Sequence, residues 1–244
     1  MVQLNITLPE SLAKEVRTSG PAGWFTPFEF RNCQSPEHSK RFYFQKRYQW
    51  KSQLLHDWID RYTPGKRVLD LFCANGAFSI RAALAGAKEV TGVDAEPSRI
   101  AVANLLAKSL SDHVDTTFDF SVQDVHDVLD RDETYDVVMC FGGLYHVSDP
   151  PAMLTKIHRA TNKYAIIQTS HVVHAPGSWG WFRLPRDQHT YVPQWPSETG
   201  GWSLTSGCYR RLIRNAGFRI LEERFPPYPI RARFRWYSAL VEKA

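Results

Sequence analysis

Between Arg67 and about Thr169, short apolar runs alternate with stretches in which apolar residues recur every third or fourth position. The runs VLDLF (68–72), EVTGVD (89–94), YDVVMCF (135–141) and YAIIQTS (164–170), with a further one near 117–123, predict strands. The stretches 77–86, 97–110 and 151–160 predict helices. Such alternation predicts an α/β fold built on a mostly parallel, doubly wound sheet. Before it, residues 1–64 are polar and aromatic, with Trp24, Phe25, Phe28, Phe30, Phe42, Tyr43 and Phe44. They end in a helical pattern of Leu54, Leu55, Trp58, Ile59 and Tyr62 that Pro64-Gly65 terminates, so 1–64 is expected to form a cap segment ahead of a domain spanning 65–244. After it, residues from about 171 to 203 are too rich in Pro and Gly for regular structure and too long for a plain connection, the profile of a functional lid. A helix at about 204–216, a stop at Gly217, a strand near 219–224, a PPYP turn and a last strand near 233–241 complete the pattern.

The 244 residues, 43% hydrophobic and 23% charged, suffice for one large domain with its own core and exclude a disordered chain. No apolar run is long enough to cross a membrane, and the N-terminus does not read as a secretory signal, so a cytoplasmic protein with no membrane partner is expected. Cys33, Cys73, Cys140 and Cys208 are widely spaced and form no zinc-type pair, which fits a reducing compartment. A net charge of +5 permits an anionic ligand without demanding nucleic acid.

In the first strand-to-helix unit, Val68-Leu69-Asp70-Leu71-Phe72-Cys73-Ala74-Asn75-Gly76, an apolar strand runs into a turn of small residues that lets backbone approach a ligand. Gly76 alone does not make the G-x-G-x-x-G of a dinucleotide cradle. Instead Asp94 ends the second strand, 24 residues beyond Asp70, where a carboxylate can accept both hydroxyls of a ribose. Asp124, in Ser121-Val122-Gln123-Asp124-Val125, follows the third strand and could accept from an amino group of a base.

In order and spacing over about 66–170, VLDLFCANGAFS, VTGVDAEPS, SVQDV and YDVVMCFGGLYHVSDP resemble the motifs of class I S-adenosylmethionine-dependent methyltransferases, and the closing helix and two strands resemble that family's antiparallel ending. The resemblance implies a Rossmann-like, mostly parallel seven-stranded sheet with an antiparallel C-terminal strand, and S-adenosylmethionine as cofactor. By it, Asp70 would anchor the methionine amino group through the loop Phe72, Ala74, Asn75 and Gly76, Asp94 with Ala95 the ribose, and Gln123, Asp124 and Val125 the adenine, with Phe141 beside the reactive end. Phe72 and Ala74 stand where the family usually has glycine, and the usual Pro-Gly-Gly before the fifth strand is Thr161-Asn162-Lys163 here.

Methyl transfer needs a positioned nucleophile and, for a hydroxyl, a base. His146, with Tyr145 beside it, lies just past the fourth strand, where open α/β sheets build their crevice, and is the candidate general base. The bland alternative is that His146 only orients its loop. No Asn/Asp-Pro-Pro-Tyr or Pro-Cys motif follows that strand, so amino and pyrimidine-carbon methylation are disfavoured, and Cys140 reads as an interior strand residue.

The lid's Trp179, Trp181, Arg183, Tyr191 and Trp195 are candidate substrate contacts, since aromatic faces beside polar donors suit sugar rings or bases. His146, Asp149, His171 and His174 could hold a divalent ion such as Mg²⁺ only if they met in space. Arg210, Arg211, Arg214, Arg219, Arg224, Arg231, Arg233 and Arg235 raise RNA binding, against the simpler reading of a solvated helix face and a charged edge strand. The Gly-Leu-Tyr-His loop resembles enzymes that modify the wobble uridine of transfer RNA, and the chain as a whole looks like actinobacterial mannoside O-methyltransferases. The expectation is O-methylation of a saccharide or other polyhydroxylated small molecule. A transfer RNA enzyme, or a cofactor-binding protein without turnover, is the alternative.

Overall fold

The computed structural model describes residues 2–36, 46–172, 177–183, 201–225 and 235–244. In chain order the elements are β1 (Val2–Gln3), α1 (Glu10–Thr18), a short 3₁₀ turn (Pro21–Gly23), β2 (Phe28–Glu29), α2 (Lys46–Tyr62), β3 (Arg67–Leu71), α3 (Ala77–Leu84), β4 (Glu89–Asp94), α4 (Pro97–Leu110), β5 (Thr117–Val122), α5 (Val125–Leu129), β6 (Tyr135–Phe141), α6 (Pro150–Ala160), β7 (Thr161–Val172), β8 (Gly180–Arg183), β9 (Gly201–Leu204), α7 (Ser206–Asn215), β10 (Phe218–Arg224) and β11 (Arg235–Lys243). The chain divides into two compact units, Met1–Val125 and His126–Ala244.

In the first unit β3, β4 and β5 run parallel, with Asp70 opposite Gly92 and Asp94 opposite Val122. From their second residues onward β3 and β4 are buried, as expected of parallel strands covered on both faces. Pro97 opens α4 behind Glu96, whose side chain accepts the Ser98 N–H. The N-terminal segment shares a core with this layer: Leu4, Leu8, Val16, Trp24, Phe28 and Phe30 pack with Ile80, Val102, Leu105 and Leu106. Helix α1 was not foreseen, being short and burying only Ala13 and Val16, too few apolar positions to stand out as a period. Helix α2, anticipated from its Leu54-to-Tyr62 pattern, reaches back to Lys46 through a polar stretch.

In the second unit β6 and β7 are parallel, while β11 is antiparallel to both β7 and β10. The last strand thus lies between β10 and β7, inside a seven-stranded sheet. This is the Rossmann-like arrangement anticipated. Helix α6 starts at Pro150 behind Asp149, which accepts the Ala152 N–H at 2.9 Å, and α7 starts behind Thr205, whose hydroxyl accepts the Cys208 N–H at 3.1 Å. The stretch from about 171 to 203, read as irregular, is corrected: β7 runs on to Val172, and β8 and β9 form an antiparallel pair, Trp181 opposite Ser203. The strand-forming ladder there is non-local in sequence, which a local period does not reveal. Cys140 is fully buried in β6. Among the described residues no helix is long and apolar enough to cross a membrane.

Candidate active site

The turn after β3 holds three residues with left-handed backbone, Phe72 (φ 60°), Ala74 (φ 50°) and Gly76 (φ 75°). Only glycine takes that conformation freely, and a residue with a Cβ pays on the order of 1–2 kcal/mol. Bonds to β4 hold the turn against that cost: the Cys73 N–H donates to the Val93 carbonyl at 3.0 Å and the Ala74 N–H to Asp94 Oδ2 at 2.9 Å. Phe72 and Ala74 therefore follow a glycine-like path despite their side chains. A Cβ on Gly76 would lie 3.1 Å from the Phe120 ring, so the turn packs directly on β5.

Asp70 is 1% exposed and accepts the Ser79 hydroxyl at 2.6 Å. Burial pushes its carboxyl up to about 7, Ser79 opposing the rise and Asp94 adding to it. Asp94 accepts the Ala74 N–H and, through Oδ1, the Glu96 N–H at 3.0 Å, with an Arg99 guanidinium nitrogen at 3.7 Å. Gln123 donates its backbone N–H to the Asp94 carbonyl at 3.2 Å, and the half-buried Asp124 follows it two residues past the end of β5. The register of the three strands thus brings Asp70, Asp94 and Asp124 to one edge of the first unit. Ala95 is exposed and Val125 buried.

Asn75 is placed otherwise than a ligand-facing side chain. Fully buried, it accepts the Thr26 N–H at 3.1 Å and donates to the Thr26 carbonyl at 2.8 Å, mimicking a strand pair. Next to Thr26, the Phe25 ring lies 4.9 Å below the Arg99 guanidinium. Ser79, Thr26, Phe25 and Arg99 were absent from the sequence-based site, since nothing local to residues 25 and 26 points 49 positions along the chain to Asn75.

In the second unit Phe141 closes β6 and is 7% exposed. Gly142 (φ 74°) donates its N–H to the Gln168 carbonyl at 3.0 Å, and the His146 N–H closes a turn onto Gly143 at 2.8 Å. The Tyr145 and His146 rings are half-buried, centroids 4.0 Å apart and tilted at 42°. Trp202 in β9 clasps the loop, donating its N–H to the Tyr145 carbonyl at 2.8 Å and Nε1 to the Ser148 carbonyl at 3.1 Å. Gly201 makes this approach feasible, because a Cβ there would sit 2.4 Å from the Tyr145 oxygen. Gln168 is fully buried and donates Nε2 to the Thr169 carbonyl at 2.7 Å, which leaves its Oε1 without a hydrogen-bond partner.

Trp179 and Trp181 are 51% and 43% exposed and stack on each other at 5.8 Å. Arg183 lies in β8, while Tyr191, Trp195 and His174 fall outside the described residues. Asp149 is occupied as the cap of α6, and among the described residues no three His, Cys, Asp or Glu side chains gather as metal ligands. Several arginines are paired: Arg210 with Glu223, Arg219 with Glu242 and Arg224 with Glu222.

Residues 62–195 match the model of a methyltransferase domain. The chain belongs to the class I S-adenosylmethionine-dependent methyltransferases. It is 31% identical over 182 residues to the ubiquinone biosynthesis O-methyltransferase of Pseudomonas syringae pv. tomato, covering 69% of this chain and 76% of that protein. It is 26% identical to the tRNA U34 carboxymethyltransferase of Sulfurovum sp., over 71% of this chain and 55% of that one. Among solved structures, magnesium protoporphyrin IX methyltransferase from Synechocystis PCC 6803 with bound S-adenosylmethionine aligns at TM-score 0.60 and 18% identity, covering 86% of this chain and 87% of that one.

The residues at the β3–β5 edge fit the methyltransferase cofactor. S-adenosylmethionine offers an ammonium and a ribose diol, both hydrogen-bond donors. The edge offers carboxylates, and among the described residues no cationic side chain bonds Asp70. A carboxyl pushed up chiefly by burial suits a cationic ligand, which favours its ionised form.

Proposed function

We propose that this methyltransferase acts on a hydroxyl of a polyhydroxylated small molecule, a saccharide in its most specific form, with His146 as general base. The observation that carries the proposal is the loop after β6, in which His146 is half-buried and which Trp202 clasps through the Tyr145 and Ser148 carbonyls on either side of it. The similarity to ubiquinone biosynthesis O-methyltransferases supports a hydroxyl acceptor. The saccharide rests on the exposed Trp179 and Trp181. Four free cysteines suit a cytoplasmic setting.

Asp70 would meet the cofactor's ammonium, Asp94 and Ala95 its ribose, and Gln123, Asp124 and Val125 its adenine. The backbone of Phe72, Ala74, Asn75 and Gly76 would line its path, with Phe141 near the methyl. When bound, the cofactor supplies a methyl on a sulfonium, so displacement leaves a neutral thioether. What the chain must add is orientation and removal of one proton. A neutral imidazole can take the acceptor's proton as its oxygen attacks in line. Tyr145, tilted against that ring, would fix its orientation.

A second reading, transfer to wobble uridine of transfer RNA, is supported by the similarity to the Sulfurovum enzyme. The deciding experiment offers labelled S-adenosylmethionine with oligosaccharides, phenols and unmodified transfer RNA, with and without Mg²⁺. Label in an alkali-stable methyl ether of a sugar is the expected result. Label confined to RNA would overturn the small-molecule reading, and label only in phenols would remove the saccharide from it.

A further inference from the structure

Helix α7 carries Arg210, Arg211 and Arg214 within one turn, and these line a cavity of about 380 Å³ together with Ser178, Gly207 and Asn215. That volume lies within the ~300–1,000 Å³ of small-ligand sites. Cations three and four residues apart on a helix repel unless an anion joins them. Glu223 neutralises Arg210, holding Nε at 2.7 and 3.0 Å from its two oxygens, and Phe225 supports the same guanidinium at 5.5 Å. Among the described residues neither Arg211 nor Arg214 pairs with a carboxylate, and both are exposed. Two unmatched guanidinium forks, a hydroxyl and an amide around one hollow are donors arranged for a tetrahedral oxyanion.

A second observation adjoins the cavity. Ser178 runs directly into Trp179, whose backbone is tied to the head of α7: its carbonyl accepts the Thr205 N–H at 3.0 Å. From there the Trp179 ring, stacked on Trp181, presents an exposed aromatic face. Anion donors beside an open indole match a phosphate joined to a planar ring. We propose that this cavity binds the phosphate of a nucleotide unit, free or within single-stranded RNA, whose base stacks on Trp179. The site shares Trp179 with the saccharide reading and is set apart from it by Arg211 and Arg214.

The test titrates the full chain with inorganic phosphate, adenosine, adenosine monophosphate and an oligoribonucleotide of about ten residues by calorimetry and anisotropy. The monophosphate should bind at least about tenfold more tightly than phosphate or adenosine alone, since it uses both halves of the site. R211Q with R214Q should weaken it about tenfold and lower the log–log salt slope for the oligonucleotide by about 0.7 per arginine. Trp179→Ala should weaken the monophosphate about tenfold while leaving phosphate unchanged. Cofactor affinity, read separately, should be unaltered in these variants, and the single substitutions serve if the double one does not fold. Tighter binding of the oligonucleotide identifies RNA as the source, and tighter binding of the monophosphate identifies a free nucleotide. If the wild type binds neither better than the double variant does, α7 presents a solvated arginine face and the proposal falls.

Discussion

The turn after β3 and the turn after β6 each follow a buried strand, yet they are held in different ways. The first is braced from within: three left-handed residues are fixed by bonds to β4, and Asp70 lies behind them with a single hydroxyl partner. The second hangs on a clasp from distant sequence, Trp202 on Tyr145 and Ser148, and its two aromatic side chains remain half-buried. Rigid, desolvated geometry suits a ligand common to a whole family. A loop secured by a few bonds to a separate hairpin can vary in sequence without disturbing the fold, because those bonds carry little of the core.

That division is broken most sharply by mutation at the second turn. His146→Ala should lower kcat by about 10²–10⁴-fold with cofactor affinity within about twofold of wild type, measured by steady-state kinetics and calorimetry. Retained turnover would reduce His146 to a loop residue. Asp94→Ala should show the reverse, raising the cofactor Kd by about 10²-fold, since it removes the proposed ribose acceptor and frees the Ala74 and Glu96 N–H groups, the first of which braces the turn. An unchanged Kd would sink the ribose assignment.

A pH series sharpens the contrast. In the unfolded chain Asp70 ionises near 3.8, whereas in the fold it stays protonated up to about 7. The unfolded state therefore releases its proton first, and stability of the cofactor-free protein should fall as pH rises from about 4 to about 7, levelling above that. Cofactor affinity should move the opposite way, strengthening up to about tenfold between pH 6 and 8, because a cationic ligand favours the ionised acid. Asp70→Asn should abolish both slopes in thermal melts and calorimetry. The smallest effect is expected from Ala74→Gly, which relieves a left-handed Cβ and should raise stability by up to about 1 kcal/mol in urea denaturation.

Much of the first turn was legible along the chain. Asp70 lies near the end of one apolar run, Asp94 ends the next and Asp124 follows the third, and a parallel sheet must bring successive strand ends to one edge, so local pattern sufficed to gather them. Local pattern also sufficed for α4 and α6, whose prolines and caps mark their starts, and for Cys140 as core. What lay beyond it shares one physical cause, pairing across sequence distance. The insertion of β11 beside β7, the clasp of Trp202 on the His146 loop, the Asn75 bonds to Thr26 and the cavity joining Ser178 to the arginines of α7 depend on which surfaces meet after collapse. Hydrophobic period reports which face of an element is buried, and it carries no record of the partner that buries it. The alternating strands and helices from β3 to β7, and the acids gathered at the strand ends of the first unit, were therefore legible in the sequence alone. The placing of the acceptor loop, and the orphaned oxygen of Gln168 beside Gly142, were decided only by tertiary structure.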